Sequence, residues 1–210
     1  MTDSSSHKIQ VAKKFENGVY FTCEMCGSCC CGFKEGEVYL YEDDIKRLAE
    51  HLKIKTTSGL KLFAKKYLKV INDSFFWKEP GVERGKTYRF KSLGFKFTGE
   101  DECCHFIEDN KCTVHEARPF QCRAFPIGWN MLINSVKNFK NYSEKCPALQ
   151  NSLENRGKFY SREEIILWAN EEYEMEKRYF LLMKKNDFNI FKVYKFLPKD
   201  MISKSILLSD

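Results

Sequence analysis

The sequence predicts a small, loop-rich α+β domain with a short β-hairpin, flanking helices and a long C-terminal helix. A length of 210 residues suits one domain, or one domain with an appended subdomain. The first cysteine-rich stretch carries glycine and serine without helical apolar spacing, which is typical of a loop, and the second contains turn residues at 108–110. Elsewhere apolar residues recur with helical or alternating spacing, which indicates helices and short strands.

The first predicted elements are one strand and two helices. Residues 38–41 have the composition of a short strand. The acidic residues 42–44 precede apolar residues spaced i, i+3, i+4 and i+7, which predicts an amphipathic helix over 45–53. Residues 56–58 are threonine and serine, which commonly cap helices, and a second helical pattern follows over 57–71.

A β-hairpin is predicted in the middle of the chain. Aromatic and basic residues alternate over 88–91 and again over 95–97. Ser92, Leu93 and Gly94 lie between these two runs and are predicted to form the turn. We expect the aromatic side chains to be half-buried and the basic side chains to face water.

The composition changes after residue 151, where cysteines no longer occur and helix-forming residues dominate. Ser161 and Glu164 have the spacing of a capping box, which predicts the start of a helix of about six turns. We therefore predict a cysteine-cluster metal-binding domain over 20–150 and a helical C-terminal extension over 151–210 that packs on it.

Composition indicates where the protein works and what it binds. No apolar run approaches the roughly 20 residues that cross a bilayer, and the polar first 18 residues lack a secretory signal and predict a frayed terminus. We therefore expect a cytoplasmic protein whose ten cysteines hold metal in preference to disulfides. The net charge of +6 comes from lysines scattered beside acids, so neither nucleic acid nor membrane is an expected partner.

The first cysteine cluster reads Cys23-Glu-Met-Cys26-Gly-Ser-Cys29-Cys30-Cys31-Gly32. Two cysteines separated by two residues can chelate one ion from a tight turn, in which backbone N–H groups stabilise the thiolates. The spacing differs from the Cys-x3-Cys-x2-Cys of radical-SAM loops, and Phe33 occupies the position of the fourth cysteine of a bacterial ferredoxin run. A fourth ligand is therefore Cys30, Cys31 or a residue further along the chain.

The second cysteine block is spread more widely, over Cys103, Cys104, Cys112 and Cys122, with Cys146 further on. Its gaps of seven and nine residues are too long for a metal knuckle, so these thiols meet only through tertiary folding. A turn at 108–110 is predicted to bring two of them, Cys104 and Cys112, together. The neighbouring histidines, His105 and His115, could replace a thiolate as metal ligands, or they could lie beside the site or on the surface without binding metal.

Two motifs run in order through this region: Cys23-x2-Cys26-Gly-x-Cys29-Cys30, and then Cys104-x-Phe-Ile with Cys112-x-Val-x-Glu-x-Arg-Pro-x-x-Cys122-Arg-x-Phe-Pro. Over roughly residues 20–150 they resemble the YkgJ-like cysteine-cluster family (CxxCxxCC), described as zinc- or iron-chelating domains and often as iron–sulfur proteins. The resemblance implies eight metal ligands, namely Cys23, Cys26, Cys29, Cys30, Cys104, Cys112, Cys122 and Cys146. Cys31 and Cys103 depart from the usual pattern and receive no role.

Eight thiols allow two four-thiolate sites, one iron–sulfur cluster with one zinc site, or one site with spare thiols. In extended backbone Cys29 and Cys30 point to opposite faces, so both serve one centre only if the chain bends, and alternation would pair Cys29 with Cys31 instead. Zinc with four thiolates makes a closed structural site, whereas a 4Fe–4S cluster carries negative charge. The resemblance favours iron–sulfur over Zn²⁺, and Arg118 and Arg123 are candidates for balancing charge around the cofactor.

Three functional hypotheses follow. The first is a metal-centred domain whose metal holds the fold together or carries electrons. The second is a metal-dependent enzyme, either an oxidoreductase or, by analogy with the related domain of flagellin lysine methylase, a protein methyltransferase. The third is metal storage or delivery, which would use the surplus thiols of Cys31 and Cys103. No complete catalytic motif is present to define a reaction, and the C-terminal helix is a candidate surface for a protein partner.

Overall fold

The computed structural model describes residues 9–31, 37–99, 102–129, 132–133 and 137–201, and its mixture of helices and small sheets confirms the predicted α+β class. The helices of this part of the chain are α1 (Glu42–His51), α2 (Thr57–Tyr67), α3 (Phe120–Ala124), α4 (Lys137–Lys145), α5 (Pro147–Leu153), α6 (Arg162–Lys185) and α7 (Ile190–Val193). Single 3-10 turns occupy Lys13–Phe15, Ser28–Cys30, His115–Ala117 and Lys199–Met201. The strands are β1 (Val19–Phe21), β2 (Tyr39–Leu40), β3 (Leu68–Trp77), β4 (Lys86–Phe95), β5 (Phe97–Thr98), β6 (Cys103–Cys104), β7 (Ile107–Glu108), β8 (Lys111–Cys112) and β9 (Lys158–Tyr160).

The chain forms two compact units, and each is built from separate segments. The described residues of the first unit lie before residue 32, between 98 and 115, and over 120–174. Those of the second lie over 37–97, 116–119 and 175–201. The long helix α6 belongs to the first unit up to Glu174 and to the second from Met175. The predicted boundary after residue 150 marks the end of the cysteine-bearing domain. The division into compact units does not test it, so it stays a prediction.

The first unit is organised around the pairing of β1 with β9, which are antiparallel with Val19 opposite Tyr160. Its apolar core extends to the segment that precedes β1. Val11 is 3% exposed and bridges Ile133, and the Phe15 ring lies 4.9 Å from that of Phe139. The prediction of a frayed terminus is therefore wrong for residues 9–18, because these two apolar side chains anchor the segment, while residues 1–8 lie outside the described part.

The second unit contains a three-stranded sheet in the order β2-β4-β3. The two ten-residue strands are antiparallel along their whole length, from Leu68 opposite Phe95 to Trp77 opposite Lys86. The part of α6 in this unit packs on the sheet through Phe180, which is fully buried and stacks on Phe75 with ring centroids 5.0 Å apart. Aromatic packing therefore supplies much of this unit's core.

Two sequence predictions fail in this sheet. Helix α2 ends at Tyr67, not at 71, because the helical spacing continues only by coincidence into an alternating, β-branched strand. Residues 92–94 are not a turn but part of β4. At Gly94, an added methyl group would lie 3.0 Å from the Ile71 side chain, so the glycine permits close packing and does not turn the chain.

Two helix starts agree with the sequence, whereas α1 spans Glu42–His51 and the predicted range is 45–53. Thr56 accepts a hydrogen bond from the Gly59 N–H at 3.0 Å, as an N-cap does. Ser161 and Glu164 form the predicted capping box, in which each backbone N–H donates to the other side chain, at 2.8 Å and 3.2 Å. The helix that follows has 24 residues. In the part of the chain that the structure describes, no helix is both long enough and apolar enough to cross a membrane.

Candidate metal centre

The first cysteine cluster follows β1 and bends sharply. Gly27 has a φ of 74°, in the left-handed region, and a 3-10 turn over Ser28–Cys30 comes next. Because of this bend, the sulfur atoms of Cys29 and Cys30 lie 3.9 Å apart and do not point to opposite faces. The alternative in which Cys29 pairs with Cys31 is not observed, since Cys31 is bonded to Cys103.

Contacts to the C-terminal part of the first unit hold the start of this cluster. Thr22 accepts a hydrogen bond from the Lys158 N–H at 3.0 Å, where β9 begins. Glu24 accepts a hydrogen bond from the side-chain amide of Asn151, which lies on α5. Helix α5 begins directly after Cys146. The same short helix therefore follows one ligand candidate directly and supports the loop that carries four others.

The middle of the cluster contacts the hairpin of β7 and β8. The predicted turn at 108–110 is present: β7 and β8 are antiparallel, with Ile107 opposite Cys112, and the turn residues Asp109 and Asn110 have positive φ. A methyl group added at Gly27 would lie 2.9 Å from the Asn110 carbonyl oxygen. The loop and the hairpin therefore pack backbone against backbone, which a glycine alone allows.

A disulfide joins the end of the cluster to the second cysteine block. It links Cys31 to Cys103, whose Cα atoms lie 4.0 Å apart although 72 positions separate them in the sequence. This bond departs from the expectation of reduced thiols throughout. The other eight cysteines form no disulfide, and only Cys146 among them is buried. These eight are the set implied by the family resemblance.

The thiols interact electrostatically across these segments. The pKa of Cys30 is raised by its hydrogen bond with Cys29, by burial, and by the charges of Cys29, Cys122 and Cys104. Burial raises the pKa of Cys104 to about 11, and the charges of Cys112 and Cys29 add to this effect. A hydrogen bond from the Phe106 N–H acts in the opposite direction and lowers the pKa. Five cysteines from four segments of the first unit therefore disfavour one another's ionisation.

Cys146 occupies the position before α5. Burial raises its pKa to about 11, and the charges of Cys26 and Cys29 raise it further, while the N–H groups of Leu149 and Ala148 oppose the rise. These two N–H groups belong to the first turn of the helix and favour a thiolate at this position. Cys146 and Cys26 are therefore within electrostatic range of each other, although they come from opposite ends of the cysteine-bearing region.

The two predicted arginines lie on either side of the start of α3. The Arg123 guanidinium stacks over the Phe120 ring at 5.5 Å, within the first unit. Arg118 lies in the short segment assigned to the second unit, two residues before α3. Their predicted role in balancing cofactor charge stays a prediction. His105 follows β6 directly and His115 begins a 3-10 turn.

The donor set fits a thiophilic metal. In the described residues, no group of three or more His, Cys, Asp or Glu side chains lies close enough to hold one ion. The cysteines nevertheless raise one another's pKa values, and a divalent or cluster-bound cation is the group that stabilises such thiols as thiolates.

The comparisons with known proteins define the family. Residues 22–147, more than half of the chain, match the family model described as "CxxCxxCC: Putative zinc- or iron-chelating domain". The chain belongs to the CxxCxxCC family. The matched region of this CxxCxxCC protein begins at Thr22 and ends at Pro147, so it includes all ten cysteines. No solved structure matches the chain. Zinc or iron chelation is therefore the property that family membership assigns to it.

Sequence reasoning missed an acidic pair in the second unit of this CxxCxxCC protein. Burial raises the pKa of Glu176, on α6, to about 7, and the charge of Asp73 adds to the effect. Burial also raises the pKa of Asp73, on β3, although hydrogen bonds from the Ser92 hydroxyl at 2.5 Å and the Ser74 N–H at 2.7 Å lower it. No sequence signal identifies the pair, because β3 and α6 meet only in the folded chain.

Replacing Gly27 with alanine is expected to destabilise the metal-free protein by about 1–3 kcal/mol, since the new methyl group combines a left-handed φ with a clash. Gly81→Ala is the matched control, because Gly81 has a φ of 79° but an added methyl group meets nothing within 4 Å. The free energy of unfolding in denaturant measures both. Equal losses in the two variants would show that the contact between Gly27 and Asn110 contributes nothing.

Proposed function

We propose that the eight cysteines outside the disulfide hold metal as thiolates, in an iron–sulfur cluster in preference to zinc, and that this cytoplasmic protein uses the centre to stabilise its fold or to carry electrons. One observation supports the proposal most. The thiol of Cys30 is disfavoured as an anion by Cys29, Cys104 and Cys122, which come from different segments of the first unit. The fold groups four thiols that disfavour one another's ionisation, and a bound cation would reverse that preference and hold them as thiolates.

The choice of metal follows from the motifs and from the ligand type. Cysteine thiolates suit both zinc and iron–sulfur clusters, and the resemblance of the two motifs favours iron–sulfur. With four thiolates, either metal is coordinatively closed, so the protein alone offers no open position for a substrate. This favours a structural or electron-carrying role over catalysis. The pairing of Cys31 with Cys103 also removes the surplus thiols that suggested metal storage.

Anaerobic purification followed by metal analysis tests the proposal. We expect iron and acid-labile sulfide in stoichiometric amounts, with broad visible absorption that bleaches on reduction. A colourless protein with stoichiometric zinc would overturn the preference for iron–sulfur and leave metal binding intact. A protein that takes up neither metal after anaerobic reconstitution would overturn the function itself.

A further inference from the structure

The disulfide between Cys31 and Cys103 lies outside the set of ligand candidates but next to two of its members. Neither cysteine belongs to the motifs shared with the family, and neither is a ligand candidate. Each nevertheless stands next to one, because Cys31 follows Cys30 and Cys103 precedes Cys104. A bond between the two cysteines therefore joins the backbones of the two ligand-bearing segments directly.

The local structure shows what this bond brings together. Cys30 ends the 3-10 turn directly before Cys31, and Cys104 shares the two-residue strand β6 with Cys103. Each bonded cysteine therefore holds the backbone next to one ligand candidate. The Cα atoms of the bonded cysteines are only 4.0 Å apart, so the bond limits how far the two segments can separate.

We propose that Cys31 and Cys103 are a site of reversible thiol oxidation that controls how long the protein retains its metal. In the oxidised state the disulfide preorganises the two ligand-bearing segments, and metal leaves slowly. In the reduced state the segments separate more readily, and metal leaves faster. This inference rests on the proposed function, because it assumes that the neighbouring thiols bind metal.

The oxidant fitted to this step is a low-molecular-weight disulfide such as oxidised glutathione. A bond forms between the sulfur atoms of Cys31 and Cys103, and the sulfur–sulfur bond of glutathione breaks. The two cysteine thiols give up two electrons and two protons, which appear in two molecules of reduced glutathione. The ligand thiols are protected during this exchange, because metal-bound thiolates are poor nucleophiles compared with free ones.

The test compares metal release from the full-length, metal-loaded protein in its two redox states. Zinc-loaded protein is equilibrated with oxidised or reduced glutathione, which is then removed, and transfer of zinc to a chromogenic chelator is followed with time. Mass spectrometry after thiol alkylation measures the fraction that carries the disulfide. We expect release to be about tenfold faster from the reduced protein, a change of the size seen when groups that support metal ligands are removed.

The double variant Cys31→Ser/Cys103→Ser is the matched control. It is expected to bind the same amount of zinc and to release it at the fast rate in both glutathione buffers. Equal release rates from the two states of the wild-type protein would overturn the redox control alone, and so would failure to form the disulfide in oxidised glutathione. Failure of both states and of the variant to take up either zinc or iron would overturn the proposed function together with it.

Discussion

Replacing Cys26 with serine is expected to abolish stoichiometric metal binding and to lower the free energy of unfolding of the metal-loaded protein by several kcal/mol. A structural metal stabilises only the folded state, and apparent binding free energies of about 10–16 kcal/mol are typical of zinc-finger peptides. Cys26 lies in the loop between Glu24, which is hydrogen-bonded to Asn151, and Gly27, which contacts Asn110. The charge of Cys26 also adds to the effect of burial in raising the pKa of Cys146. Serine keeps the size of the side chain but is a poor ligand for a soft metal.

Ser28→Ala is the matched control for this change. The Cys26 thiol donates to the Ser28 hydroxyl at 3.4 Å, so Ser28→Ala removes the same local contact and leaves every thiol in place. We expect Ser28→Ala to retain metal and nearly the full stability. After chelation, the wild-type protein and Cys26→Ser should unfold at the same denaturant concentration. A Cys26→Ser protein with normal metal content and an unchanged unfolding curve would exclude Cys26 as a ligand.

Replacing Glu176 with glutamine is expected to stabilise the second unit by up to about 3 kcal/mol at about pH 8, with little effect at about pH 4. The pKa of Glu176 is about 7 in the folded protein because of burial and the charge of Asp73, against 4.5 for an ordinary glutamate. Between these two values the unfolded chain loses its proton while the folded protein keeps it. The stability contributed by this group is therefore complete at low pH and is lost as the pH rises through the window.

The pH dependence of unfolding measures this effect. Wild-type stability should decrease from about pH 4.5 to about pH 7, and in Glu176→Gln this decrease should be smaller. The charge of Asp73 also raises the pKa values of Tyr39 and Tyr179, and burial is the larger cause for both tyrosines. Glu171→Gln is the control, because Glu171 is an exposed carboxylate on the same helix. The same pH profile in all three proteins would contradict the assignment.

Features encoded within about ten residues could be predicted from the sequence. The N-cap at Thr56, the capping box at Ser161 and the turn at 108–110 depend on side chains that meet their own near neighbours. The strand that follows α2 could not be predicted, because a short apolar run satisfies helical and alternating spacing equally well. Its identity is decided by β4, which pairs with it from a distant part of the chain.

The candidate site shows the same limit more clearly. The ligand types and the local bend near Cys29 follow from residue spacing and from Gly27, so a metal-binding loop could be predicted. The grouping of Cys30 with Cys104 and Cys122 depends on long-range attachments, among them the contact of Gly27 with Asn110 and the disulfide to Cys103. Pairwise contacts of this kind leave no periodic pattern in one sequence. The disulfide was missed for a related reason, since ten cysteines allow many pairings.

Only 4.0 Å separates the Cα atoms of Cys31 and Cys103, which are the two ends of the stretch between the cysteine motifs. A stretch of chain whose ends nearly coincide can grow, shrink or be exchanged during evolution while the spacing of the thiols stays the same. Relatives should therefore differ most in length between their two cysteine motifs. The same position would be a natural place to graft a foreign module onto a chelating domain.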